Sequence, residues 1–336
     1  MADRIKKRYT MKDVAERAGV SQPTVSHVIN GTASISQSVK DRVNSIIKEL
    51  DYRPNGIAKC LKTTKTNIIG VLIPDLFNEF YTMLVRTLET KLQGKGYVTL
   101  LSSTGYDPVS ETRCIESLTR YNVEGIIICY QLLNRDLYAQ LDRANIPFVK
   151  IEDGTNEFPD NSVDVDNINS GYIATDFLIQ KGYRRIAFVS EAMRVHAMQH
   201  RLEGYLKALK ENGIEQRDDM IITSDMDIDK TSLGMSLGDR VLESGAEAVF
   251  VTSDSVAVGL LRFLREHGKR VPDDIAVVSN DDTPAAKFTY PMLTTVEQPV
   301  EEITDRAMEI ILAHINGEDA VPADKIRGSL VIRETA

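Results

Sequence analysis

The chain has 336 residues, of which 26% are charged, and a formal net charge of −9. This length exceeds what one hydrophobic core usually organises and predicts more than one domain. No apolar run is long enough to span a membrane, the N-terminal MADRIKKRYT lacks the apolar run of a signal peptide, and the three cysteines have no motif spacing. We therefore expect a cytoplasmic protein without a membrane segment or a disulfide framework.

Residues 10 to 30 predict two short helices joined by a tight turn. Thr10 can cap the first helix, Gly19 permits the positive φ that the turn requires, and Ser21 can cap the second helix. Pro23 sits in the first turn of the second helix, where its missing N–H costs nothing, and Asn30 with Gly31 ends that helix. The outward face of the second helix carries Gln22, Thr24, Ser26 and His27. Such side chains suit base edges in a major groove or phosphates, although any small helical hairpin shares this pattern.

The charge distribution favours a DNA-binding function for this hairpin. Residues 1 to 66 hold thirteen Lys and Arg against six Asp and Glu, a net of +7, so the other 270 residues carry −16. A basic head on an acidic body is typical of a protein whose head alone contacts phosphate. An apolar stripe between Val39 and Leu50 predicts a third helix that covers the back of the hairpin.

The string DVAERAGVSQPTVSHVING, with YRPN and IAKCLK after the third helix, resembles the LacI/GalR family of bacterial repressors, and the resemblance extends over nearly the whole chain. It implies a helix-turn-helix domain at 1–53, a hinge helix and linker at 54–66, and a two-lobed effector-binding and dimerisation domain at 67–336. In the family, a hinge leucine from each subunit wedges into the minor groove, and Leu61 matches it. Gly56 departs from the usual Ala or larger residue and should cost the hinge helix about 1 kcal/mol. The expected DNA-binding residues are Thr10, Ser21, Gln22, Pro23, Thr24, Ser26, His27 and Asn30, followed in the hinge by Asn55, Ala58, Lys59, Leu61 and Lys62.

From Asn67 onward, short apolar runs alternate with amphipathic stretches. The runs are IIGVLI, YVTLLS, GIIIC, IPFVKI, RIAFVS, EAVFVT and IAVVS, and GSLVIRE near residue 330 is expected to form a further strand. This pattern predicts an α/β fold of two doubly wound parallel sheets, which follows the all-α helix-turn-helix domain along the chain. The resemblance implies a periplasmic-binding-protein-like body with crossovers near Asp166, Gln298 and Lys325. The N-lobe would then span about 67–166 and 299–324, and the C-lobe about 167–298 and 325–336.

Ligands of such sheets bind beyond the carboxyl ends of the strands, so we expect an effector site between the lobes. The expected effector-binding residues, which match family positions, are Phe80, Tyr81, Asp166, Arg201, Asp254 and Asp281. An arginine that faces carboxylates suits a polyhydroxylated ligand. Val195 and Ala197 stand where purine-binding relatives place polar residues, which favours a sugar or sugar phosphate. Alternatively, Asp254 caps a helix, and Phe80 and Tyr81 are core residues.

We therefore predict a ligand-responsive repressor of carbohydrate-utilisation genes that binds a palindromic double-stranded operator as a homodimer. The alternatives are a catabolite regulator that uses a phosphoprotein corepressor and a sugar-binding receptor without DNA function. An enzyme is disfavoured because Ser236, within the Gly-x-Ser-x-Gly pattern at 234–238, falls inside a predicted helix. His196 and His200 have no third metal ligand nearby in the sequence, so we expect no metal site. The sequence contains no phosphate-binding loop motif, so we expect no nucleotide cofactor.

Overall fold

The computed structural model describes residues 9–52, 65–152, 154, 157–226, 229–320 and 324–336. The chain divides into two compact units, residues 1–66 and residues 67–336. The expected hinge residues, from Pro54 to Lys62, lie outside the described residues.

The described part of the first unit is a three-helix domain. Its helices are α1 (Met11–Ala18), α2 (Gln22–Asn30) and α3 (Gln37–Glu49). Thr10 begins α1 through a capping box, because its hydroxyl accepts from the Asp13 N–H while the Asp13 carboxylate accepts from the Thr10 N–H. Gly19 ends α1 with a φ of 61°, so the predicted tight turn is present. Val14, Val25 and Val43, one from each helix, are fully buried in the shared core.

The second unit begins with a five-stranded parallel sheet. Its strands are β1 (Ile68–Ile73), β2 (Val98–Ser103), β3 (Gly125–Ile128), β4 (Phe148–Ile151) and β5 (Ser162–Val163). The connecting helices are α4 (Glu79–Gly94), α5 (Pro108–Arg120) and α6 (Asp136–Arg143). The strand order β2-β1-β3-β4-β5 is that of a doubly wound sheet, whose ligand crevice lies where the order reverses.

A six-stranded sheet repeats this arrangement. Its strands are β6 (Ile186–Ser190), β7 (Ile221–Thr223), β8 (Ala248–Val251), β9 (Ala276–Asp281), β10 (Thr294–Glu297) and β11 (Ser329–Val331), in the order β7-β6-β8-β9-β10-β11. Only β11 pairs antiparallel in this sheet, with β10. The helices of this region are α7 (Asn167–Gln180), α8 (His196–Glu211), α9 (Lys230–Ser236), α10 (Gly238–Ser244), α11 (Asp254–Glu266) and α12 (Pro284–Phe288). We call the two sheets with their packed helices the N-lobe and the C-lobe.

The chain passes between the lobes more than once. After β10 of the C-lobe, α13 (Val300–Ile315) returns to the N-lobe and packs on its sheet. Gly125 permits this packing, because a Cβ there would lie 2.8 Å from the Ile311 side chain. Two other crossing segments run side by side, joined by a parallel bridge between Val165 and Ile326.

The predicted α/β class with a helical N-terminal domain is confirmed, and all seven apolar runs form strands. The prediction named neither β5, β7 nor β10. The prediction of a single helix through Ser236 was wrong, because the chain breaks at Leu237 into α9 and α10.

Candidate DNA-binding surface and effector cleft

Helix α2 presents the candidate DNA-reading residues of the first unit. The Ser21 hydroxyl accepts from the Thr24 N–H at 3.3 Å, which fixes where the helix begins. Gln22, Pro23 and His27 are exposed, and Thr24 and Ser26 are half-buried. The structure thus places the polar face of α2 on the solvent side, opposite the buried Val25.

Several side chains of this face are already oriented by local hydrogen bonds. His27 Nδ1 lies 2.9 Å from the Thr32 hydroxyl, and the Asn30 amide donates to the Ser26 carbonyl at 2.9 Å. Because each bond uses one polar atom of the side chain, His27 Nε2 and Asn30 Oδ1 are the atoms left to meet another molecule. Thr10 is committed to its capping box and lies at the start of α1 rather than on α2.

In the second unit, a cleft lies between the carboxyl ends of strands from both lobes. From the N-lobe it is lined by Asn78, Phe80, Tyr81, Tyr106, Tyr130, Gln131 and Glu152. From the C-lobe it is lined by Glu191, Val195, Ala197, Met198, Arg201, Lys230, Ser253 and Asp281. The structure therefore brings together four of the six expected effector residues: Phe80, Tyr81, Arg201 and Asp281.

Arg201 is the central cation of the cleft. Its side chain is buried, and it donates to Asn167 Oδ1 at 2.8 Å and to the Thr252 carbonyl at 2.5 Å. Its remaining terminal nitrogen lies 3.9 Å from Glu152 and 3.8 Å from Asp281, beyond direct hydrogen-bonding distance. Gly171 on α7 fixes the backbone beneath it, since a Cβ there would overlap the Arg201 carbonyl oxygen.

Asp281 completes this cluster from the end of β9. It has a φ of 124° and the next residue, Asp282, a φ of 54°, both in the region that favours glycine. Burial raises the pKa of Asp281 to about 7, against the opposing effect of Arg201. The carboxyl group of Asp281 therefore changes between its neutral and its ionised form near neutral pH.

Two tyrosines form part of the N-lobe wall. The Tyr81 and Tyr106 hydroxyls lie 3.1 Å apart, and burial raises the pKa of both phenols. The Phe80 ring packs 5.5 Å from the Tyr81 ring, centroid to centroid. Both Phe80 and Tyr81 are buried and belong to the N-lobe core, so they serve the fold as well as the cleft wall.

A second ion pair lies in the C-lobe wall. Lys230 Nζ donates to Glu191 at 2.8 Å, and the two side chains are only 14% and 15% exposed. Burial lowers the pKa of Lys230, but the nearby Glu191 and Tyr106 outweigh it, so the net shift is upward and the lysine is charged.

The other two expected effector residues do not line the cleft. Asp166 caps α7, accepting from the Asn169 N–H at 3.0 Å, and pairs with Arg327 at 3.2 Å in the adjacent crossing segment. Asp254 is fully buried at the start of α11, where hydroxyl and amide donors occupy both of its oxygens. Its carboxylate does not cap its own helix as the alternative proposed.

Several residues of the cleft were not expected from the sequence. Glu152 and Glu191 directly follow β4 and β6, so the rule that found Asp281 could have found them. Lys230 is the first residue of α9 and does not follow a strand, so this rule could not have found it. Ser253 is also new, and its hydroxyl has no hydrogen-bond partner within the described part of the chain although it is buried.

Over the described ranges, no helix is long and apolar enough to cross a membrane. In the same ranges, His, Cys, Asp and Glu side chains form no cluster of three or more that could hold a metal ion, and the rings of His196 and His200 lie 5.9 Å apart.

A helix-turn-helix unit with a two-lobed binding body defines the class of ligand-binding transcriptional regulators. The chain matches two family profiles, "Bacterial regulatory proteins, lacI family" over residues 10–55 and "Periplasmic binding protein-like domain" over residues 175–336. It is 34% identical to the HTH-type transcriptional repressor PurR of Vibrio atlanticus (strain LGP32), over 92% of this chain and 93% of the relative. It is 32% identical to the catabolite control protein A of Streptococcus mutans serotype c, over 92% of each chain.

Among the solved structures that are similar over nearly the full length, two are informative. One is a complex of the transcriptional regulator CelR with cellobiose, with 30% identity, a TM-score of 0.73, and coverage of 98% of this chain and 100% of that one. The other is the Lac repressor dimer bound to operator and the anti-inducer ONPF, with 27% identity, a TM-score of 0.86, and coverage of 98% and 99%. The chain belongs to the LacI family and is a DNA-binding transcriptional repressor. Its relatives are transcriptional regulators rather than enzymes.

Proposed function

We propose that this repressor binds a palindromic operator as a homodimer and responds to a neutral carbohydrate in the cleft between its lobes. The observation that carries the proposal is the geometry around Arg201. A terminal guanidinium nitrogen faces two carboxylates at 3.8 and 3.9 Å without a direct hydrogen bond to either. Ligand hydroxyls can donate to the carboxylates while accepting from the arginine, which is the chemistry of a sugar.

The charges of the cleft favour a neutral sugar over a sugar phosphate. Two cations, Arg201 and Lys230, face three carboxyl groups, Glu152, Glu191 and Asp281. A phosphate would enter a site without excess positive charge, and Lys230 is already paired with Glu191. The similar CelR structure contains cellobiose, which supports this ligand class. The relatives named PurR make a purine the competing class.

Contacts between the lobes support a role for the cleft in switching. The Glu79 carboxylate of the N-lobe accepts from the Ala285 N–H of the C-lobe at 3.0 Å, and the Gln131 side-chain carbonyl accepts from the His196 N–H at 3.3 Å. Each acceptor from one lobe satisfies a helix N-terminus of the other. A ligand that binds this lobe arrangement more tightly than another would shift the balance between the two arrangements and, through it, operator affinity.

Exposed apolar side chains supply a candidate dimer surface on the second unit. Phe77 of the N-lobe is 88% exposed, and Phe288 and Tyr290 of the C-lobe are 87% and 89% exposed. The Glu79–Ala285 contact joins the two segments that carry these residues. Large exposed aromatic side chains of this kind are typical of a protein interface.

On DNA, two copies of α2 would occupy successive major-groove half-sites, with Gln22, Thr24, Ser26 and His27 reaching the bases. Leu61 is proposed as the minor-groove wedge, with the hinge residues Asn55, Ala58, Lys59 and Lys62 around it. Operator binding requires that the protein reside with the DNA in the cytoplasm. The catabolite control protein A relative keeps open a second candidate, in which a phosphoprotein corepressor replaces or joins the small effector.

The test selects an operator from random duplexes and then measures operator affinity with each candidate ligand present. The panel is glucose, galactose, ribose and cellobiose, with glucose 6-phosphate, hypoxanthine and guanine as competing classes. We expect a palindromic site, a dimer by sedimentation, and a change of about 5- to 150-fold in operator affinity with one neutral sugar. A response only to a purine or only to glucose 6-phosphate would overturn the neutral-sugar effector, and selection of no site would overturn the operator model.

A further inference from the structure

Asp254 connects three elements behind the cleft. Its Oδ1 accepts from the Ser279 hydroxyl at 2.5 Å and from the Thr295 hydroxyl at 2.8 Å, and its Oδ2 accepts from the Thr283 N–H at 2.7 Å. Ser279 lies on β9, Thr295 on β10, and Thr283 directly before α12. A buried carboxylate from α11 thus fixes both sides of the turn that follows β9.

That turn is the strained one that carries Asp281 into the cleft. Two consecutive residues other than glycine, Asp281 and Asp282, have positive φ, and such conformations persist only where the surroundings impose them. The turn is held by a second set of contacts in addition to those of Asp254. The Asp282 carboxylate accepts from Arg333 at 2.5 Å and lies 3.7 Å from Lys287. The result is that the Asp281 carboxylate faces Arg201 at 3.8 Å.

We propose that Asp254 is a positioning residue of the effector site, which holds the strained turn so that Asp281 meets the ligand and thereby controls effector affinity without touching the ligand. The inference rests on the proposed binding of a sugar in the cleft.

The charge of Asp254 adds a second effect. Asp281 faces Arg201 from α8, Lys230 from α9 and Asp254 from α11, and Glu152 approaches the same arginine from the end of β4. Burial raises the pKa of Asp281 to about 7, the arginine opposes the rise, and Asp254 adds to it. The ionised Asp281 accepts the hydrogen bond of a ligand hydroxyl more strongly, so effector affinity falls as the pH drops through about 7.

Asparagine at this position separates charge from geometry. In Asp254→Asn, the amide oxygen can accept from the Thr283 N–H, and the amide nitrogen can donate to the hydroxyls of Ser279 and Thr295, which also accept. The turn is then kept while the negative charge is lost. Asp254→Ala removes the charge and all three hydrogen bonds.

The experiment measures calorimetric affinity between pH 5.5 and 8.5, with the panel sugar that binds the wild type most tightly. We expect Asp254→Asn to bind as the wild type does at high pH, with the loss of affinity on acidification displaced to lower pH by roughly one unit. Asp254→Ala should bind at least about tenfold more weakly at every pH. The matched control is Asp239→Asn, an exposed first-turn aspartate of α10 in the same lobe, which should change nothing.

An unchanged pH profile in Asp254→Asn would overturn the effect of the Asp254 charge on Asp281, because this isosteric variant keeps the turn and removes only the charge. If Asp254→Ala fails to fold, Thr295→Val removes one of the three hydrogen bonds to Asp254 and should weaken sugar binding, so wild-type affinity in that variant would overturn the positioning role. Wild-type affinity in a folded Asp254→Ala would overturn the positioning role. Failure of every sugar to bind the wild type would instead overturn the effector class, and this inference with it.

Discussion

At the scale of single residues, Asp281 links ligand binding to stability. Its pKa rises from the ordinary 3.8 to about 7 in the folded protein, so between these values the folded state holds more of the proton than the unfolded state. The stabilising contribution of this group is complete below about pH 4 and is lost as the pH rises through about 7. Above that pH, the folded protein carries a buried charge that opposes folding.

We therefore expect Asp281→Asn to melt at a higher temperature than the wild type above pH 7, by about 2 to 4 °C for each kcal/mol gained. The difference should shrink as the pH approaches 4, since protonated aspartate and asparagine are both neutral. Differential scanning fluorimetry across pH gives the measurement, with Asp239→Asn as an exposed control. A difference that does not vary with pH would contradict the assignment of the raised pKa to Asp281.

The same residue shows how far sequence reasoning can reach in this cleft. Both Asp281 and Arg201 were expected from their match to family positions, and the place of Asp281 at the end of an apolar run agrees with the ligand edge of a parallel sheet. Which polar side chains pair with each other in the cleft could not be predicted from the sequence. Nothing in the sequence shows that Lys230 meets Glu191, or that Asp254 faces the turn instead of the cavity, because these depend on how the helices pack. Burial of a polar residue is decided by packing, whereas its position after a strand is local.

At the scale of elements, the lobes contact each other through helix ends. Glu79 lies in the first turn of α4, where its negative charge is favourable, and its carboxylate also accepts a hydrogen bond from the first turn of α12 in the other lobe. One carboxylate therefore stabilises two helix N-termini. A helix cap is worth about 1 kcal/mol, which is comparable to a typical allosteric coupling. This bond joins the two lobes, so a change in their relative orientation would break it.

We expect Glu79→Ala to weaken sugar affinity by about fivefold, because closure loses about 1 kcal/mol. Glu89→Ala removes an exposed glutamate from the same helix and should leave affinity unchanged. Calorimetry on both variants gives the comparison. Equal losses would show that the effect comes from the charge or stability of α4 and not from the bond to Ala285.

The elements themselves were largely predictable because their signals are local. Seven apolar runs became strands, and caps at Thr10 and Ser21 marked where α1 and α2 begin. The strands that the sequence did not indicate, β5, β7 and β10, have two, three and four residues, too few for a periodic pattern. Each is defined by pairing with a neighbouring strand.

At the scale of the whole molecule, charge separates the two activities. The net +7 of residues 1 to 66 contrasts with the −16 of the rest, so phosphate attraction is confined to one unit. The cleft in the other unit pairs its cations with carboxylates. Operator binding and effector binding should therefore respond differently to ionic strength.

Operator affinity should fall steeply with salt. If a dimer makes about six to ten phosphate contacts, the affinity drops by roughly 10³- to 10⁵-fold between about 50 and 200 mM salt. A neutral sugar displaces no counterions, so its affinity should stay within about twofold over the same range. Fluorescence anisotropy with labelled operator and calorimetry with the sugar measure the two slopes on one preparation. If the ligand that controls operator binding instead loses affinity in parallel with the operator, it is an anion, and Lys230 leaves Glu191 to meet it. A flat operator slope would mean that the basic residues of the first unit do not face the DNA backbone.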